Sequence, residues 1–97
     1  MRRKAGIIVI DKKDNVATAL ETLSAGTEVS VEIESHMEKI RILSDIPRGH
    51  KFALVNIEKG GAVIKYGEPI GQSTSEIIRG EHVHVHNVVS QPRGGLQ

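Results

Sequence analysis

The sequence predicts a mainly β fold of short strands and tight glycine turns, with one or two short helices. Three observations predict it. A loose pattern, apolar-x-x-Gly-x-x-apolar, recurs at Leu23 to Val29, Ile46 to Phe52, Ile57 to Val63 and Ile77 to Val83. In each copy an apolar residue plugs the core, glycine supplies a left-handed backbone at the turn, and a strand leaves it. Secondly, Val29, Val31 and Ile33 alternate with Ser30, Glu32 and Glu34, the period of a half-buried strand. Thirdly, 38% of the 97 residues are apolar but only Phe52 and Tyr66 are aromatic, so the core is aliphatic and has little room for a deep pocket. The pattern glycines are separated by 23, 11 and 20 residues, which excludes a solenoid of fixed period.

In chain order, Gly6 to Ile10 reads as a buried strand. Asp14 or Asn15 reads as a helix N-cap, and Val16, Ala17, Ala19, Leu20 and Leu23 follow at helical spacing until Gly26 ends the helix. Val29 to Ile33 forms a strand, Ser35 to Glu38 its turn, and Ile40 and Ile42 lie on the partner strand. Phe52 to Val55 and Ala62 to Tyr66 are short strands, with Tyr66 read as a core ring. Gly67 to Gly71 is a bend around Pro69, and Ser75 to Arg79 a turn or a single helical loop. Glu81 to Val89 is the last strand, so the domain runs from 1 to 89 and a disordered tail from 90 to 97.

Composition excludes several classes of function. Thirteen Lys and Arg against twelve Asp and Glu leave a formal charge of +1, without the basic excess or stacking aromatics of a nucleic-acid binder. With no cysteine there is no disulfide, thiolate metal site or thiol nucleophile. The longest apolar run, Ala5 to Ile10, falls far short of the ~20 residues that span a bilayer. A chain without membrane contact, residing in the cytoplasm, is expected.

The segment Glu81-His82-Val83-His84-Val85-His86-Asn87 carries the most chemistry. On a strand, His82, His84 and His86 share one side while Val83 and Val85 face the core. Neighbouring imidazoles suit a metal ion or proton transfer. The competing reading is a solvent-facing or interface strand that happens to use histidine. His50 and Lys51 sit on the turn before another strand. A cation beside an imidazole suits a carboxylate ligand, against the reading of an ordinary polar turn.

The runs Asp14-Asn15-Val16-Ala17, Gly26-Thr27-Glu28-Val29, Arg48-Gly49-His50-Lys51-Phe52-Ala53-Leu54, Val63-Ile64-Lys65-Tyr66-Gly67-x-Pro69-Ile70-Gly71 and Gly80-Glu81-His82-Val83-His84-Val85-His86-Asn87 together resemble the N-terminal SAF-type domain of altronate dehydratase. The chain is also similar to the small subunit of sulfolactate sulfo-lyase. The resemblance covers residues 7 to 88 and implies a SAF-type β-clip. It implies a hydro-lyase that removes water from a 2,3-dihydroxy sugar acid to give a 2-keto-3-deoxy acid, with iron or manganese as the divalent metal of the complete enzyme. His50 and Lys51 match the family's Gly-His-Lys motif, and His82, His84, His86 and Asn87 its closing His-x-His-x-His-Asn motif.

The candidates carried over are His50, Lys51, His84 and His86 for catalysis, Lys51 and Asn87 for substrate binding, and His82, His84 and His86 for metal. Altronate dehydratases continue well past this domain. The chain is therefore either a free-standing small subunit or an isolated fragment; the free-standing subunit is the expectation, inactive without a large catalytic subunit that completes the active site. Homo-oligomerisation stays open. The alternatives are a non-catalytic docking module and the small subunit of a sulfolactate sulfo-lyase.

Overall fold

Four glycine turns, each made by one copy of the recurring pattern, tie the chain together in two reciprocal pairs. The computed structural model describes residues 6–90. Gly26, Gly49, Gly60 and Gly80 all have φ between 84° and 93°, the left-handed backbone expected of them. Leu23 bridges Ile46, and Ile57 bridges Ile77. Within each pair the glycine N–H of one copy donates to the other copy's incoming chain: Gly26 to Ile42, Gly49 to Ala19, Gly60 to Ser73 and Gly80 to Ala53. The amides of Ile42, Ala19, Ser73 and Ala53 return the bond to Thr27, His50, Gly61 and Glu81. The repeat is therefore a device for mutual clamping, and this explains why its sequence spacing is uneven.

Nine strands connect these turns: β1 (Ile7–Ile8), β2 (Val16–Ala19), β3 (Glu28–Ile33), β4 (His36–Arg41), β5 (Lys51–Ala53), β6 (Ala62–Lys65), β7 (Glu68–Ser73), β8 (His82–Val83) and β9 (Val88–Ser90). They form a sheet in the order β1-β2-β5-β8, a hairpin β3-β4 and a sheet β6-β7-β9, all antiparallel. One core cluster packs Phe52 with Ala17, Ala19, Val29, Val31, Ile40 and their neighbours; a second packs Val16, Ala53, Ile57, Val63, Ile77 and Val83. Phe52, Ala17 and Ala19 face one cluster and Val16, Ala53 and Val83 the other, so β2 and β5 are covered on both faces.

That double coverage corrects the expected helix. Among the described residues there is no helix, and Val16–Ala19 is a strand. Val16, Ala17 and Ala19 are all buried because an interior strand buries both faces, and an apolar run without alternation mimics helical spacing. Asp14 and Asn15 are not caps. The Asn15 side chain accepts from Ile64 N at 2.7 Å and donates to Ala62 O at 2.9 Å, pinning β2 to β6. Asp14 accepts from Gly67 N at 2.8 Å. Ser75 to Arg79 likewise contains a turn and the Ile77 bridge, with no helix.

Other expectations shift for local reasons. The first strand is only Ile7–Ile8, at a sheet edge, with Ile7 buried and Ile8 and Ile10 exposed. The first hairpin turns at Glu34 and Ser35, both at positive φ, rather than over Ser35 to Glu38. Tyr66 is an exposed turn residue at φ 60°, not a core ring; with Gly67 it forms the two-residue link between β6 and β7. Paired positive φ values suit the right-handed twist of antiparallel strands. The expected bend from Gly67 to Gly71 is mostly strand β7, in which Pro69 precedes the stretch paired with β9 and so removes no bond from that side. The last strand is broken in two at the turn 84–87. Ser90 lies in β9, and the tail after it is outside the described residues.

Candidate functional site: an imidazole cluster

His50 enters the site from a clamped turn. Gly49 takes the left-handed conformation, His50 N donates to Pro47 O, and His50 O accepts from Ala19 N. The next residues, Lys51 and Phe52, pair across β8 with Val83 and His82. This register places His82 beside the end of the His50 turn, although 32 residues separate them. On its other edge His82 N donates to Ser44 Oγ at 3.1 Å.

After Val83 the strand stops, and Asn87 is the reason. Its Oδ1 accepts from His84 N at 3.0 Å, its Nδ2 donates to His82 O at 2.9 Å, and its own N–H donates to His84 O. Asn87 is buried, and its amide is spent on holding the histidine turn. Turning the chain here corrects the expected alternation: Val83 is fully buried, whereas Val85 is 82% exposed.

The result is a stack of rings. His50 and His84 lie 4.0 Å apart between centroids, His50 and His82 5.0 Å, and His82 and His84 5.5 Å, all near parallel. His50 Nδ1 and His82 Nε2 are 2.8 Å apart and share one proton in an N–H···N bond. One nitrogen from each of His50, His82 and His84 lies within 4.8 Å of the other two. The expected trio of His82, His84 and His86 is thus regrouped. His50 joins His82 and His84, and His86 stands beside them with its ring 5.1 Å from His82.

Electrostatics favour the neutral ring at His82 and His84. Burial lowers the pKa of His82, and repulsion from His86, His50, His84 and Lys51 lowers it further. The His84 pKa is lowered by partial burial and then by His50, Lys51 and His86. Lys51 is half-buried, which lowers its own pKa, and the neighbouring Lys65 adds to the effect. Neutral imidazoles keep a lone pair available for a metal ion or a proton. Three nitrogens within 4.8 Å of one another are the donor type and number of a candidate metal site, somewhat wider than bonds of about 2.0–2.1 Å would span.

The cluster lies apart from the groove of about 420 Å³ between residues 7–14 and the first hairpin, which is lined by Ile8, Ile10, Val31, Ile33 and Met37 among others and contains none of the site candidates. Sequence reasoning missed Ser44 and Lys65. No local signal marks either one: Ser44 sits on a bend after β4 and Lys65 at the end of β6, both distant in the chain from His82.

Comparison with known proteins places this geometry in a lineage. The family model for the altronate/galactarate dehydratase SAF domain matches residues 5–91. Altronate dehydratase of Escherichia coli (strain K12) is 51% identical over 80 residues, covering 82% of this chain. The (2R)-sulfolactate sulfo-lyase subunit alpha of Chromohalobacter salexigens is 36% identical over 84 residues, covering 84% of this chain and 89% of its own length. Galactarate dehydratase (L-threo-forming) of Escherichia coli (strain K12) is 36% identical over 84 residues, again 84% of this chain. The chain spans only 15% of the length of either dehydratase. With the glycine clamps, the all-β fold and the histidine turn all in place, the chain belongs to the altronate/galactarate dehydratase SAF domain family.

Proposed function

We propose that this domain supplies an imidazole site to a sugar-acid dehydratase whose remaining active-site wall comes from other polypeptide. The observation that carries the reading is the convergence of His50, His82 and His84 from two separated turns onto one cluster. His50, His82 and His84 would hold a divalent metal, iron or manganese, with His86 beside them. Such an ion, when bound, supplies positive charge to polarise substrate oxygens. His86, beside the cluster and outside the ligand trio, would accept the proton lost from the carbon next to the carboxylate. From the imidazolium so formed the proton passes to the departing hydroxyl. The hydroxyl leaves as water, and the enol left behind becomes a 2-keto-3-deoxy acid.

The rings are only partly buried on a thin aliphatic domain, and a reaction of this kind needs water excluded. A large catalytic subunit is therefore proposed to cover them. A second reading has its own support: the sulfo-lyase alpha subunit is a relative that this chain covers over 89% of its length. In that case the leaving group is sulfite rather than water: the same proton is abstracted, and sulfite departs as an anion without needing one.

Titration of the chain with manganese, followed by calorimetry and by relaxation of water protons, tests the site. One ion bound per chain, with affinity reduced at least about tenfold in His50→Ala and His84→Ala, is the expected result. Equal binding by wild type and both variants removes the metal reading.

A further inference from the structure

The groove beside the first hairpin is a feature that the imidazole chemistry does not use. It lies between two strand edges: β1 ends the central sheet, and β3 pairs with β4 alone. Hydrogen-bonded pairs alternate along an antiparallel ladder, and this fixes which backbone groups each edge offers. Leu20 N donates to Gly6 O, so the next bonded pair is Ile8 with Thr18, and the N–H and C=O of Ile7 face away from β2. Ile42 N donates to Thr27 O, so Val29, Val31 and Ile33 bond to β4, and the N–H and C=O of Ser30 and Glu32 face outward. Among the described residues no strand or bridge pairs with either of these edges. Both edges line the same groove of about 420 Å³.

An open strand edge is a template for another strand. The walls here are apolar, with Ile8, Ile10 and Met37 exposed. The rim is acidic: Asp11, Glu32 and Glu34 stand against the single ammonium of Lys12. Among the described residues none of these three carboxylates forms an ion pair. Asp14, which also lines the groove, is already engaged by Asp11 N and Gly67 N. This charge decides the occupant. Two copies joined edge to edge here would bring their own glutamates together, and like charges across paired strands are destabilising. An extended segment with lysine or arginine at alternate positions, and apolar residues between, matches both the walls and the rim. We infer that the groove takes such a basic segment of another polypeptide as an added strand. Its backbone bonds to the open edges, its apolar side chains lie on Ile8, Ile10 and Met37, and its cations sit among the carboxylates. The inference stands apart from the metal and proton chemistry of the histidines.

NMR of the isotope-labelled chain tests it, with a capped synthetic peptide of alternating lysine and valine as the probe. The peptide is expected to shift the amide signals of Ile7, Ser30 and Glu32 and to slow their hydrogen exchange, while the histidine signals stay in place. A matched peptide of alternating glutamate and valine should leave the same amides unmoved. N-methylation of alternate amides in the lysine peptide should weaken it at least about tenfold, because one edge loses its bonds. In the double variant Glu32→Lys, Glu34→Lys the preference should reverse, with the glutamate peptide gaining what the lysine peptide loses. Melting curves verify that the variant is folded. Equal binding of both peptides shows mere apolar adhesion and overturns the inference. So does an N-methylated peptide that binds as tightly as its parent, or a lysine peptide that shifts other regions only. Concentration-dependent shifts of the groove amides without any peptide would make the occupant a second copy, and they overturn it as well.

Discussion

At the scale of single residues, Asn87 does the most to create the site without facing it. A buried amide that accepts from His84 N and donates to His82 O fixes the two imidazoles relative to each other. Asn87→Ala leaves both backbone groups unpaired, at a cost of about 1–3 kcal/mol. The expected outcome is a lower melting temperature together with weaker manganese binding, although every histidine is still present. Full metal affinity in a destabilised variant would show that the clamp serves stability alone. Elsewhere, His36 and Glu38 form a surface pair 2.9 Å apart, and Arg79 binds the same carboxylate at 3.0 Å. The hydrogen bond to Glu38 raises the His36 pKa, and the bond to His36 lowers that of Glu38. This pair lies on the hairpin β3-β4 and takes no part in the imidazole cluster.

At the scale of elements, the glycine turns differ in what surrounds them. Gly49 needs its left-handed backbone but has open space where a side chain would go. Gly80 needs the same backbone, and a Cβ there would collide with the carbonyl oxygen of Arg41. Gly49→Ala should therefore cost about 1 kcal/mol, for backbone strain alone. Gly80→Ala should cost more, about 2–4 kcal/mol, because strand β4 must move as well. Chemical denaturation of the two variants measures the difference. Equal losses would mean that the β4 contact yields freely. Much of this level was legible in advance: four copies of one pattern marked four left-handed turns, and all four occur. Strand β2 was not legible, because Val16, Ala17 and Ala19 are buried on both of its faces and carry no alternation.

At the scale of the whole molecule, two aliphatic clusters are joined through one central sheet, and Phe52 is the largest fully buried side chain. It also stands across from His82 in the ladder between β5 and β8. Replacing a buried Phe by Ala costs about 3–5 kcal/mol. Domains have only about 5–15 kcal/mol to lose, and small ones lie near the low end. Phe52→Ala is expected to shift the unfolding midpoint steeply downward and to abolish manganese binding at the proposed site. Phe52→Leu, losing less volume, should keep both. A folded Phe52→Ala protein that binds manganese normally would show that core and site are independent.

Composition and motif order were enough to give the turn positions, the aliphatic and mainly β character, the family, and the histidines that meet in the candidate site. These are local properties: a glycine at a left-handed turn, an alternating strand, a motif read in order. Pairing between distant segments decided that the copies clamp in pairs and that His50 rather than His86 completes the trio with His82 and His84. Strand pairing is set by which apolar faces can be buried together across the whole chain, so no short stretch of sequence records it.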